Sequence, residues 1–172
     1  SAGDECVRTA ASEQGDMLVI CHDGFYSTMQ PYVEWKNMKG IPTEMVNMSE
    51  VGSTASDVDS YIENYYSTHD LAFVLLVGDI QQIPSLTGGD DTIVSPADPM
   101  YSFIVGSDSY QDVFIGRFSA QTVSALQTQV NRSIAYEKTP QATADWYHKG
   151  TGIASNDGTG SGDDGEWDWE HL

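Results

Sequence analysis

Asp108, Tyr110 and Asp112 alternate along a short polar stretch, a spacing that can wrap two carboxylates and one main-chain carbonyl around a hard cation at about 2.4 Å. Asp79, directly after an apolar run and Gly78, is a further oxygen donor, and Ca²⁺ is the cation this chemistry favours. The bland alternative is a polar hairpin with solvated acids. A second acidic stretch, 156–170, has calcium-like composition, but the EF-hand pattern cannot be threaded through it. Within it, Asp157 suits an Asx turn in a Gly-rich loop, and Asp168 suits the first turn of a helix that starts near Asp163 and Asp164.

Other chemically capable residues point to structure. Cys21 and His22 are adjacent at a strand end, so their side chains diverge, and Cys21 reads as a buried structural thiol. Cys6 is the only other cysteine; the two could form one disulfide in an oxidising compartment, but a single pair makes no disulfide framework. His69, His148 and His171 are scattered and match no zinc-ligand spacing. Arg117, in a mostly apolar stretch, is expected to pair with a structural acid. Tyr61, Tyr65 and Tyr66 read as helix packing.

These residues need elements to position them. Met17–Cys21 reads as a strand; Tyr32, Val33, Trp35, Lys36 and Met38 follow at helical spacing and stop at Gly40. Pro42–Asn47 has strand character, and Ser56 with Asp57 opens a helix carrying Val58, Tyr61, Ile62, Tyr65 and Tyr66 on one face. Leu71–Val77 is the most apolar run and is placed centrally as a buried parallel strand. Residues 84–99, rich in Pro, Gly and acids, read as a loop across the carboxyl end of the sheet. Val113–Phe118 is a strand, and Val123, Leu126, Val130, Ile134 and Tyr136 line one side of a helix ending near Lys138. Lys149–Ser155 is expected to form another strand. Alternating strands and helices specify an α/β fold with a mostly parallel sheet flanked by helices.

The 172 residues carry 26 Asp plus Glu against seven Lys plus Arg, a formal charge of −19. Such a surface repels phosphate backbones and anionic lipids, which disfavours nucleic acid and membrane partners and suits cations or basic peptides. No apolar run approaches a membrane span of about 18 residues, and the first residues have no signal-peptide pattern. A helix cut after two turns is a poor domain end, so the chain is expected to be one part of a larger molecule.

Several stretches together resemble the gingipain family of cysteine peptidases, the caspase-like clan CD: Tyr32–Lys36 with Lys39 and Gly40, Phe73–Asp79 with Ile83 and Pro84, and Val105–Tyr110. The match continues through Val113–Ser119, Gln129–Arg132 with Tyr136 and Glu137, Ile153–Gly158 and Asp164–Asp168. Their joint order covers about residues 16 to 172; any one alone is weak.

The resemblance implies a secreted endopeptidase domain of two α/β subdomains, the first incomplete architecture here being residues 1–15 as an extension, 16–140 as the first subdomain and 141–172 as the start of the second. The nucleophilic Cys and the His are expected beyond Leu172, in a complementary segment or chain, so the 172 residues alone are expected to be inactive. It further implies that Asp157 orients the His, that Asp168 receives the basic side chain of a peptide substrate, and that structural Ca²⁺ sits near 108–112. A non-catalytic, calcium-stabilised acidic binding module is the alternative.

Overall fold

A computed structural model of the chain describes residues 14–89, 94–106 and 110–152. It divides into two compact units, residues 1–138 and 139–172. The first opens with β1 (Asp16–Cys21), α1 (Tyr26–Met38) and β2 (Thr43–Asn47), then a single turn, α2 (Met48–Val51), and α3 (Ala55–Thr68). It continues with β3 (Leu71–Val77), β4 (Thr87–Gly89), β5 (Val94–Pro96), β6 (Phe114–Phe118) and α4 (Val123–Lys138).

Four strands form one parallel sheet in the order β2-β1-β3-β6. The inner strands β1 and β3 are buried on both faces, which is why they read as continuous apolar runs. Side chains alternate between two cores. Leu18, Ile20, Val74 and Leu76 meet Val58, Ile62 and Tyr65 of α3. Met17, Val19, Leu75 and Val77 meet Met29 and Tyr32 of α1 and Leu126 and Val130 of α4. The expected α/β architecture is therefore present, with Leu71–Val77 inside the sheet.

Local boundaries differ where side-chain contacts override pattern. Helix α1 starts six residues before Tyr32 and runs through Pro31, because Phe25 and Met29, both buried, anchor its first turn on the sheet and offset the lost hydrogen bond. The cap of α3 is Thr54, whose hydroxyl accepts the Asp57 N–H while the Asp57 carboxylate accepts the Thr54 N–H. Residues 84–99 are not one loop: β4 and β5 pair as an antiparallel hairpin, and Asp98–Ser102 forms a 3₁₀ turn. On α4, Val123 and Tyr136 are exposed while Leu126 and Val130 are buried. Tyr136, two residues past Ile134, is rotated about 200° from it, so it cannot share that face. In the second unit Asp145–His148 is a 3₁₀ turn, and 149–152 form no strand; the rest of the expected strand lies outside the described residues.

One carboxylate joins α1 to α4. Glu137 accepts from Lys36 Nζ at 2.6 Å, Trp35 Nε1 at 2.8 Å and Lys39 Nζ at 2.8 Å. Burial raises its pKa, but the bonds from Lys36, Lys39 and Trp35 dominate and bring it from 4.5 to about 2. Because the folded pKa is the lower one, the stabilisation is complete above about pH 4.5 and is lost as pH falls towards 2. Allowing for solvent screening of the partly exposed Lys39, it amounts to about 2 kcal/mol. Glu137→Gln is expected to remove this part of the acid limb in urea melts run from pH 6 to 2.5; an unchanged pH slope would contradict the assignment.

Candidate functional site at the carboxyl edge of the sheet

The chain leaves β1 towards β2 on one side and later enters β3 on the other, so the order reverses between β1 and β3. In open α/β sheets the crevice at the carboxyl ends of such strands is the favoured ligand position. Here that edge presents His22, bonded through its N–H to the Val77 carbonyl, and the Gly78-Asp79 turn. Gly78 has φ +140°, and a Cβ there would lie 3.1 Å from the Gln82 side chain, so glycine is required.

Asp79 fastens this turn to the loop after β6. Its Oδ1 accepts the Ile80 N–H at 2.8 Å, its Oδ2 accepts Gln121 Nε2 at 2.5 Å, and its own N–H bonds to the Ala120 carbonyl. The Gln121 and Ile80 bonds hold its carboxyl below the ordinary range.

Arg117 projects from β6 beneath the same edge. Its Nε and Nη2 bond both oxygens of Asp98 at 2.7 Å, and its Nη1 reaches the carbonyls of Gly78 and Ile83 at 3.0 and 2.9 Å. Ser85 Oγ donates to Asp98 as well. Burial pushes Asp98 up, yet the bonds from Arg117 and Ser85 outweigh it and keep the carboxyl low. The expected structural acid for Arg117 is thus Asp98, and one guanidinium ties the turn after β3 to the 3₁₀ turn after the hairpin. Asp79, Ile80, Ser85, Pro96, Asp98 and Arg117 line an open cavity of about 200 Å³. The sequence hints at this partnership only through the dipeptide Asp98-Pro99, a turn signal without an address.

Of the four expected metal residues, Asp79, Tyr110 and Asp112 are among the described residues. Asp112 precedes β6, at the amino end of the sheet: its N–H bonds to the Ser102 carbonyl, and its Oδ2 accepts the N–H groups of Ile104 and Val105. Asp79 follows β3, at the carboxyl end. Since Phe73–Val77 runs in register beside Phe114–Phe118, the strand length of about 13 Å separates them, and one Ca²⁺ cannot take both. Tyr110 is exposed at its side chain, and Asp108 lies outside the described residues. Among the described residues no three His, Cys, Asp or Glu side chains gather as a metal site. Asp157 and Asp168 also lie outside the described residues.

Cys21 is a free, buried thiol. Desolvation and then the charge of Asp23 push its pKa up to about 12, which suppresses the thiolate and fits a structural role. Among the described residues no helix is long and apolar enough to cross a membrane.

Comparison with known proteins accounts for this architecture. The family model described as Peptidase family C25 matches residues 10–171. Gingipain R2 of Porphyromonas gingivalis is 37% identical over 164 residues, which cover 92% of this chain and 22% of that protein. Lys-gingipain of the same organism is 27% identical over 148 residues, covering 82% of this chain and 8% of its own length. The crystal structure of the Arg-specific cysteine proteinase gingipain R superposes with a TM-score of 0.79 at 35% identity, covering 95% of this chain and 38% of that one. The chain thus spans about a fifth of the gingipain R2 it matches. With this sheet, these loops and a match across nearly its whole length, the chain belongs to peptidase family C25, the gingipain family.

Proposed function

We propose that this chain forms the leading part of the catalytic domain of a secreted cysteine endopeptidase that cleaves after Arg, with the thiol nucleophile and its His supplied by sequence or a chain outside these residues. The observation that carries the reading is the gradient of similarity: 37% identity to gingipain R2 against 27% to Lys-gingipain. In this reading Asp157 accepts the second imidazole N–H of the His and fixes its tautomer, and Asp168 accepts the guanidinium of the substrate's Arg. The −19 charge supports it by drawing basic peptides towards the protein. By itself the chain is not expected to turn over substrate.

The Arg preference has a direct test. In an enzyme assembled from this chain and a complementary Cys- and His-bearing segment, kcat/KM for an Arg amide is expected to exceed that for the matched Lys amide by at least about tenfold, the effect of about 1.4 kcal/mol. A ratio near one, or one favouring Lys, contradicts the Arg assignment.

Calcium belongs to the same proposal, held by Asp108 and Asp112 with the main-chain carbonyl of Tyr110. The donor set is hard oxygen throughout, and Asp112 would ligate through Oδ1 because Oδ2 closes the 104–105 loop. Such an ion would stiffen that loop rather than join the chemistry. Thermal melting with millimolar Ca²⁺ is expected to lie several degrees above melting with EDTA, and coincident curves contradict a structural ion.

A further inference from the structure

Asp79 lies at the opposite end of the sheet from the Asp112 loop, and a cavity opens beside it. Three properties define that cavity. First, its base is fixed, since Arg117 is held by Asp98 and two carbonyls and its charge is consumed there. Arg117 and Asp98 neutralise one another, so the uncompensated charge is that of Asp79. Second, Asp79 is held in one orientation by Ile80 N–H, Gln121 Nε2 and, at 3.5 Å, Ser119 Oγ, and a carboxylate has about four lone-pair sites, so acceptor capacity is left for a ligand. Third, Ile80, 40% exposed, and Pro96 provide apolar wall next to that charge.

An apolar wall ending in a fixed carboxylate is the complement of an aliphatic stem ending in a cation. A volume of about 200 Å³ suffices for one long side chain but not for a drug-sized ligand, whose pockets run from about 300 Å³. We infer that this cavity is a binding site for a single Arg or Lys side chain of a peptide, the stem lying on Ile80 and Pro96 and the cationic head on Asp79. It is separate from the contact assigned to Asp168. The inference deepens the proposed function by giving a basic peptide a second point of attachment, and it rests on that reading for its biological sense. Binding needs no turnover, so its failure would leave the peptidase reading standing.

The test is a ¹H–¹⁵N titration of the 172-residue chain with n-butylguanidinium, with the uncharged n-butylurea as control. Saturable shifts are expected at Gly78, Ile80 and Ser85 with the guanidinium and not with the urea. Asp79→Asn is expected to weaken binding about fivefold, while Glu63→Gln, on the outer surface of α3, leaves it unchanged. The same spectra report whether each variant is folded. Ile80→Ser, which keeps the carboxylate, is expected to weaken binding through the stem alone. Equal weakening by Asp79→Asn and Glu63→Gln would reduce the effect to general charge attraction, and shifts at the same amides driven by Ca²⁺ and reversed by EDTA would give the cavity to a metal. Either result, or no saturable shift at all, overturns the inference.

Discussion

Arg117→Met is expected to lower the free energy of unfolding by about 3 kcal/mol, read from urea denaturation at neutral pH. Removing one member of a desolvated ion pair typically costs 3 to 5 kcal/mol, because the surviving charge stays partly buried without its partner. The lower end applies here, since the Asp98 side chain keeps 24% of its surface in water while Arg117 keeps 12%. The same substitution strands the carbonyls of Gly78 and Ile83, which share Nη1. Arg117→Lys restores a charge but not the fork, so an intermediate loss is expected. Asp98→Asn in the Arg117→Met background should cost little more than Arg117→Met alone, as members of one network do not add. A loss below about 1 kcal/mol for Arg117→Met would contradict the clamp.

Asp168→Asn is the second large effect, and it falls on rate. In the assembled enzyme it is expected to reduce kcat/KM for Arg substrates by about thirtyfold to a thousandfold or more, the equivalent of roughly 2 to 5 kcal/mol for a buried charge pair losing one member. Reaction of the nucleophilic thiol with iodoacetamide, which carries no guanidinium, should be nearly unchanged. The two readouts separate a pocket residue from a structural one, because a first-turn acid that merely favours the helix dipole would contribute about 0.3 to 1 kcal/mol to folding and would depress both together. Equal loss of both removes the pocket assignment.

Much of the fold was legible because burial on both sheet faces leaves a plain mark. Met17–Cys21 and Leu71–Val77 are continuous apolar runs for that reason, and the stripe Val58, Ile62 and Tyr65 marks α3 through the core it meets. The hairpin was not legible: β4 and β5 are three residues each, rich in Gly, Ser and Pro, too short to show a period of two. Tertiary burial of Phe25 and Met29 likewise carried α1 through a proline that reads as a helix breaker.

The site was legible by residue type more than by location. Arg117 could be read as structural from its apolar setting, but Asp98 lies 19 residues earlier and only the folded hairpin delivers it. Asp79 follows one strand and Asp112 precedes another, and both have suitable chemistry, but only the pairing of those two strands says how far apart the acids lie. Their parallel register sends the acids to opposite ends. The family resemblance rested on the order of many short stretches, each weak alone, and that order is what the match over residues 10–171 reflects.

In the proposed function this chain supplies part of a working peptidase. The most direct test is thiol-dependent hydrolysis of an Arg ester by the chain combined with a complementary segment carrying the Cys and His, each component alone serving as a blank. Turnover is expected that only the combination shows and that iodoacetamide abolishes. No turnover from the combination, with both components shown to be folded and associated, would contradict that function.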